Sequence, residues 1–244
     1  MVFDFFFKRE PVILPFFTDI HCHVVPGVDD GSPDAATSGM LLERMHDMGI
    51  MRVFTSPHVT QDTFENTPET LAGPLGELRN EIQRRKIPIK LYLHAEYRLD
   101  EFFIQQKNAG NLTPLPGNLL LVENSFAQEP YNLNNVLFDL RLSDYTPILA
   151  HPERYKYYSE SHRERYRQLH DSGVLFQINL LSLAGRYGRA ERSMALELLE
   201  SGMADFIGTD IHRESHVKLI EDYLASRTFR QDRKLMTNLR NDEI

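Results

Sequence analysis

Apolar residues along the chain gather in short runs, each followed by a mixed stretch of helical period, and this alternation continues over most of the sequence. Seven runs have the length and composition of strands: Phe16–Ile20, Met51–Thr55, Ile87–His94, Asn118–Val122, Pro147–Ala150, Val174–Ile178 and Asp205–Gly208. Between the first two, Ser32-Pro33 offers an N-cap and a first-turn proline, Leu41, Met45 and Met48 share one helical face, and Gly49 closes the segment. Further helices are expected over about Pro68–Lys86, Leu133–Leu142, Ser161–Ser172, Arg189–Ser201 and Glu214–Ala225. The pattern is that of a parallel α/β protein, in either a closed barrel or an open doubly wound sheet, and periodicity does not choose between them. No linker-like tract or repeat divides the chain. Residues 1–244 therefore read as one domain, with 1–15 as an N-terminal arm.

The polar residues that follow the apolar runs separate the two architectures. In an α/β barrel the site forms at the carboxyl ends of the strands. The first run is followed by Asp19-Ile20-His21-Cys22-His23, the second by Pro57-His58 and the third by Glu96. The fourth gives Glu123, the fifth His151-Pro152-Glu153-Arg154 and the seventh Asp210-Ile211-His212. An open sheet would spread these groups along an edge, whereas a barrel makes them converge. His21 and His23 lie two apart, so in extended chain both imidazoles point to one side, and Asp210 with His212 repeats the spacing. With Asp30 added, nitrogen and carboxylate donors without a thiolate suit manganese, iron or zinc in a catalytic site rather than a cysteine-closed structural zinc site. Nine ligands exceed the needs of one ion. Three divalent ions against the carboxylates Asp30, Glu96, Glu123 and Asp210 would leave a cationic centre that attracts an anion, and Arg154 beside His151 is suited to clamp phosphate oxygens.

Composition narrows the partners. A formal net charge of -8 argues against a general nucleic-acid binder, which needs a basic face. The apolar start MVFDFFFKREPVILPFF is interrupted by Asp4 and by Lys8-Arg9-Glu10, so a packed or partner-facing arm is expected rather than a signal peptide, with assembly into a homo-oligomer as one use for it. No later run has the roughly 18 uninterrupted apolar residues of a membrane helix, and a cytoplasmic protein without membrane insertion is expected. The single cysteine, Cys22, forms no intramolecular disulfide. Nor does it form a C-x5-R phosphate-binding loop, because the arginine of that loop would fall at Val28.

The stretches DIHCHVVPGVDDGS, TSPHV, HAEYRLD, LLVENS, ILAHPERY and GTDIH resemble the PHP (polymerase and histidinol phosphatase) superfamily, and within it the bacterial manganese-type protein-tyrosine phosphatases of capsule and exopolysaccharide systems. The resemblance implies a distorted (β/α)7 TIM-like barrel with three metal ions, manganese first and iron or zinc as alternatives. It implies one ion held by His21, His23, Glu96 and Asp210, a second by Glu96, Glu123 and His151, and a third by Asp30, His58 and His212. The histidinol-phosphatase branch commonly carries histidines where Asp30 and Glu123 stand, so the carboxylates favour the tyrosine-phosphatase branch. The implied activity is hydrolysis of a phosphotyrosine protein, a bacterial tyrosine kinase of polysaccharide export, by a metal-activated hydroxide, with Arg154 orienting the phosphate. The rivals are a histidinol-phosphate-type metabolite phosphatase, a phosphodiesterase of the same superfamily and an inactive binding module. His46, His162 and His170 are expected to be solvated or capping, His94 to be core or supporting, and Asp29 to be a partner of the ligands. Arg213 and His216 are near enough to the rim to touch a substrate, and the polar stretch 61–67 is expected to form a flexible rim loop.

Overall fold

The computed structural model describes residues 13–158 and 163–244. The aromatic arm expected over 1–15 lies outside the described residues as far as residue 12, as does His162.

Nine short strands are described: β1 (Thr18–Asp19), β2 (Arg52–Thr55), β3 (His58–Val59), β4 (Lys90–Leu93), β5 (Glu96–Arg98), β6 (Leu119–Glu123), β7 (Thr146–Ala150), β8 (Leu175–Asn179) and β9 (Phe206–Gly208). All the ladders are parallel, in one sheet of order β1-β2-β4 and a second of order β3-β5-β6-β7-β8-β9. The second and third apolar runs form β2 and β4 of the first sheet, and the residues just after each run form β3 and β5 of the second. Pro57 has no N–H to continue the first ladder, and the chain re-enters pairing at His58, which faces Glu96. Bonds from His94 N to Thr55 O (3.0 Å) and from Glu96 N to Pro57 O (3.1 Å) bridge the hand-over. At the far edge Cys22 pairs in parallel with Ile211, and Asp210 N donates to His21 O at 2.7 Å. Asp19 ties the same edge, accepting from Thr209 N (3.1 Å) and Thr209 Oγ1 (2.5 Å). The result is a mixed α/β fold on a curled parallel sheet.

Alternation along the strands sorts the core into two layers. Ile20, Phe54, Leu121, Ile148, Ala150 and Phe206 form one buried cluster on the concave side. Leu149, Phe176, Ile178 and Ile207, from neighbouring strand positions, join the larger cluster under the helices, with Leu41, Leu42, Met45, Leu198 and Ile220.

The expected helices are present as α1 (Ala35–Asp47), α2 (Pro68–Arg85), α4 (Leu133–Leu142), α5 (Arg163–Asp171), α7 (Arg189–Glu200) and α8 (Glu214–Leu224). The start of α1 differs from expectation. Asp34 is the N-cap, its carboxylate accepting from Thr37 N at 2.7 Å, while the Ser32 hydroxyl donates to Asp34 O instead. Three helices were not expected: α3 (Glu101–Ala109), α6 (Leu180–Leu183) and α9 (Arg227–Asp232). Asp100 caps α3 by accepting from Phe103 N, and Gly110 ends it in the left-handed conformation, at φ 73°. Among the described residues no helix is long and apolar enough to cross a membrane.

Candidate metal centre

The strand ends bring all nine expected ligands together. Glu96, at the start of β5, stands in the middle. Its Oε2 lies 3.2 Å from His21 Nε2, 3.4 Å from His23 Nε2 and 3.0 Å from His58 Nδ1, and its Oε1 lies 2.9 Å from His151 Nε2. Asp210 Oδ1 is 3.6 Å from His21, 3.5 Å from His23 and 3.4 Å from His212 Nδ1. Glu123 approaches His58 at 3.7 Å and His151 at 3.9 Å. Asp30, half exposed at the mouth, reaches His58 Nε2 at 3.6 Å and His212 Nε2 at 3.4 Å.

Groups that share a wall this closely must be completed by something. His21 Nε2, His23 Nε2, His58 Nδ1 and Glu96 Oε2 are among the buried side-chain atoms with no hydrogen-bond partner. Leaving such an atom unmade costs about 1–3 kcal/mol, and these four face one another. Three overlapping trios, His23-His58-His212, His21-His23-Glu96 and His58-Glu96-Glu123, each present ligand atoms within 4.8 Å of one another. The residues therefore fit divalent cations, by donor chemistry and by the unmet demand of the buried atoms.

The electrostatics of the cation-free cluster point the same way. Burial opposes a charge on His21 and His58, but Glu96, helped by Asp210 at His21 and by Glu123 at His58, overcomes it and pushes them up to about 9 and about 10. Burial would raise Glu96, yet the His21 and His58 charges hold it well below the usual carboxylate range. Burial and the Glu96 charge push Glu123 up to about 7. The carboxylates that would hold cations also favour protons on these imidazoles, so the two compete.

A surrounding layer fixes each ring. His21 Nδ1 donates to Gln177 Oε1 at 2.7 Å and His23 Nδ1 to Asp29 Oδ2 at 2.8 Å, which leaves both Nε2 atoms free to ligate. Asp29 also accepts from His58 N (3.1 Å) and Gly31 N (2.9 Å), so it supports the ligands without joining them. His212 Nδ1 donates to Asp210 O at 2.9 Å. The second oxygen of Asp210 accepts from Asn179 Nδ2 (2.5 Å), Tyr187 Oη (3.2 Å) and Arg154 Nη1 (3.4 Å). Two glycines permit this closeness: a Cβ on Gly31 would fall 2.3 Å from His23 O, and one on Gly208 2.5 Å from His21 Cβ. His151 and Asp210 hold φ of 36° and 52°, a strained conformation for residues with a Cβ.

Above the cluster opens a cavity of about 460 Å³. Arg98, Arg154, Arg186 and Arg213 line it together with Phe64, Phe126 and Tyr187. Arg154 is held between aromatic faces, 4.6 Å from the Phe126 centroid and 4.0 Å from that of Tyr187. Arg98 Nε donates to Glu123 Oε1 at 3.0 Å. Phe126 stacks on His151 with centroids 5.5 Å apart, and Phe64 on His58 at 5.8 Å. The stretch around 61–67 is better ordered than a flexible loop, because Thr60 and Phe64 exchange reciprocal 2.9 Å backbone bonds that hold Phe64 over the cavity. His216 and Arg213 line the mouth. His94 does not reach it, since its Nε2 donates to Ile20 O at 2.8 Å beneath the site. Cys22 is fully buried, and burial pushes its thiol well up.

Gln177, Asn179, Arg98, Phe126 and Tyr187 were missed in the sequence. Arg98 carried a signal, standing two residues after Glu96 in extended chain and so on the same side.

Residues 17–227 match the family described as "Capsular polysaccharide synthesis, CpsB/CapC". Among curated proteins the chain is similar to the tyrosine-protein phosphatase YwqE of Bacillus subtilis and to the putative tyrosine-protein phosphatase CapC of Staphylococcus aureus, each at 29% identity over 195 residues, 80% of this chain and 76% of the relative. The tyrosine-protein phosphatase CpsB of Streptococcus pneumoniae is 26% identical over 202 residues, 80% of this chain and 82% of that protein. A solved structure from work on YwqE of Bacillus subtilis and CpsB of Streptococcus pneumoniae, described there as metal-dependent tyrosine phosphatases, superposes with a TM-score of 0.76 at 25% identity, covering 91% of this chain and 94% of the other.

Proposed function

Because the chain belongs to the capsular polysaccharide synthesis CpsB/CapC family, we propose that it is a metal-dependent protein-tyrosine phosphatase. Its substrate in this reading is a phosphorylated bacterial tyrosine kinase of polysaccharide synthesis or export, in the cytoplasm. The reading takes residues 1–244 as one distorted (β/α)7 barrel domain. It takes the cofactor as three divalent ions, manganese first, held by His21, His23, Asp30, His58, Glu96, Glu123, His151, Asp210 and His212. The observation that carries it is the convergence of four imidazoles on Glu96, with the inner nitrogens of His21, His23 and His58 and the Glu96 Oε2 that they face left unpaired. Similarity to proteins named as tyrosine phosphatases supports this reading over the metabolite-phosphatase and binding-module alternatives.

Bound cations in such a cluster supply a water of lowered pKa and neutralise phosphoryl charge. The remaining work belongs to the chain. Arg154, pinned between Phe126 and Tyr187 and anchored on Asp210, presents its outward N–H groups to the phosphoryl oxygens without first losing rotamer freedom. Phe126, 41% exposed beside His151, offers the leaving phenol an apolar face. A phenolate, with a free pKa near 10, departs with less acid assistance than an alkoxide. The reaction therefore places little demand on a dedicated proton donor.

The test is metal analysis of the purified protein, followed by turnover of a phosphotyrosine peptide, histidinol phosphate and an oligonucleotide with added manganese. Manganese-stimulated hydrolysis confined to the peptide is expected. Full activity after exhaustive chelation, or preference for histidinol phosphate, would overturn the reading.

A further inference from the structure

Glu153 is a buried carboxyl group that the proposed chemistry does not use. It stands between a candidate ligand and the candidate phosphate clamp, in the run His151-Pro152-Glu153-Arg154. Residues Pro152–Arg154 form one 3-10 turn, closed by Arg154 N donating to His151 O at 2.9 Å. Arg154 lines the metal cavity. Glu153 is buried instead against the junction of β8 and α6, where its Oε1 accepts from Asn179 N at 2.9 Å and from Ser182 Oγ at 2.6 Å. Its Oε2 is buried without a hydrogen-bond partner among the described residues.

The turn has to be held. His151 enters it in the left-handed region, at φ 36° and ψ 54°, a conformation that a residue with a Cβ keeps only where its surroundings over-determine it. Four contacts do so: His151 N donates to Gln177 O (2.7 Å), Tyr166 Oη donates to Pro152 O (3.2 Å), and Glu153 takes its two bonds. The junction that Glu153 grips also reaches Asp210. Asn179 donates through Nδ2 to Asp210 Oδ2 at 2.5 Å, and the same oxygen takes Arg154 Nη1 at 3.4 Å. A closed circuit of contacts thus runs from Glu153 through Asn179 and Asp210 to Arg154, and back along one peptide bond. As a stabilising device Glu153 is poorly chosen, because a carboxyl group out of water with one oxygen unpaired costs more than an apolar side chain in its place. What it supplies is direction, since its two donors are fixed by β8 and α6.

We propose that Glu153 is a positioning residue for Arg154, anchoring the turn from below so that the guanidinium stays aimed at the phosphoryl position. The inference rests on the phosphatase reading in taking Arg154 as the phosphate clamp, and adds the group that sets it.

The experiment uses the full-length protein at saturating manganese in four forms: unaltered, Glu153→Ala, Arg154→Ala and the double variant. Inorganic phosphate is titrated into each by calorimetry, with thermal unfolding and turnover of a phosphotyrosine peptide alongside. The phosphate Kd should rise about tenfold in Glu153→Ala, as expected when a clamp is misplaced, but less than twofold when the same change is made on Arg154→Ala, because residues that act as one unit are not additive. Glu153→Gln keeps an acceptor at Oε1 and should bring the Kd back to within about threefold of the unaltered protein. Ser182→Ala removes one of the two donors without touching the turn, and should raise the Kd roughly threefold by the same route; it carries the cycle if Glu153→Ala does not fold. Three outcomes overturn the proposal: no phosphate binding by the unaltered protein, a lowered Tm with unchanged Kd, or equal losses with and without Arg154. The last would mean that Glu153 acts through the metal ligands or the fold at large. Phosphate binding separates this from the parent reading. Coupled losses of phosphate affinity in a protein that leaves phosphotyrosine intact sink the phosphatase and keep the positioning role, whereas hydrolysis with additive losses does the reverse.

Discussion

The two ends of the parallel strands bury polar side chains in opposite ways. At the amino end, Asn241 closes a knot in which its Oδ1 accepts from Ile207 N (3.0 Å) and its Nδ2 donates to Thr18 O (2.9 Å) and Ile207 O (2.8 Å). Asp242 accepts there from Phe17 N and Thr18 N. At the carboxyl end, His21, His23 and Glu96 are equally buried, but His21 Nε2, His23 Nε2 and Glu96 Oε2, with His58 Nδ1 beside them, have no hydrogen-bond partners. A satisfied polar group under a sheet stabilises it, while an unsatisfied one costs stability until a ligand arrives. The amino end is therefore built to hold the fold and the carboxyl end to hold something else.

Substitution at the centre of the unsatisfied end has the largest effect on turnover. Glu96→Gln keeps the shape and removes the charge on which His21, His23, His58 and His151 converge. Phosphotyrosine hydrolysis should fall by more than roughly 10²-fold, beyond the 10–100-fold typical of groups around a metal's own ligands, and bound metal should fall with it. Retention of both would show that the cluster is completed by protons alone.

Proton competition gives the next test. His21 and His58 stand at about 9 and about 10 in the cation-free protein, above their unfolded value near 6.5. A histidine whose folded pKa is raised contributes stability that is complete below the unfolded pKa and is lost as pH rises through the folded one. The cation-free protein should accordingly lose thermal stability between pH 7 and pH 10, while the metal-loaded protein loses less. Calorimetry in two buffers of different ionisation enthalpy should detect proton release on metal binding near neutral pH. Absence of proton release would mean that the imidazoles are neutral before the cation arrives.

Asp29→Asn tests the layer behind the ligands. It leaves the nine donors in place but weakens the bond that sets the His23 ring. Metal affinity should drop by about 10–100-fold, measured by titration with a competing chelator, with a smaller loss of activity at saturating metal. An equal loss at saturation would place Asp29 among the reacting groups.

Eight of the nine candidate ligands were legible because each closely follows an apolar run, so strand ends and donors are read from the same local pattern, whereas Asp30 stands in a loop and had to be added to the set. Their supports were not. Gln177 reaches His21 from β8 and Asn179 reaches Asp210 only because the ladders set those strands in register across the sheet, and no spacing in the sequence encodes that pairing. Phe126 follows Glu123 and Asn124 in a connection without periodicity. Helix α3 was legible and overlooked: Asp100 and Gly110 bracket it as cap and stop, but only Phe103 is buried within it, so the apolar stripe that usually reveals a helix is missing. At α1 the choice of Ser32 over Asp34 as the cap turned on which oxygen reaches a helical N–H, a distance that the sequence does not carry.

The smallest effect on chemistry belongs to the satisfied end. Asn241→Leu retains side-chain bulk but leaves Ile207 N without its acceptor and the carbonyls of Thr18 and Ile207 without their donor, all buried between the first and last strands. An unmade buried group costs about 1–3 kcal/mol. Since partial relaxation and water entry reduce the sum, a loss of about 2–4 kcal/mol is expected, or roughly 5–15 °C in Tm for a chain of this size. Turnover per folded molecule should change by less than twofold, because the knot lies at the opposite end of the strands from the cavity. Thermal unfolding alongside kcat at 20 °C checks both halves. A variant that kept its Tm would show the knot to be incidental, and one that kept its Tm but lost activity would show that the two ends are mechanically joined through β1 and β9.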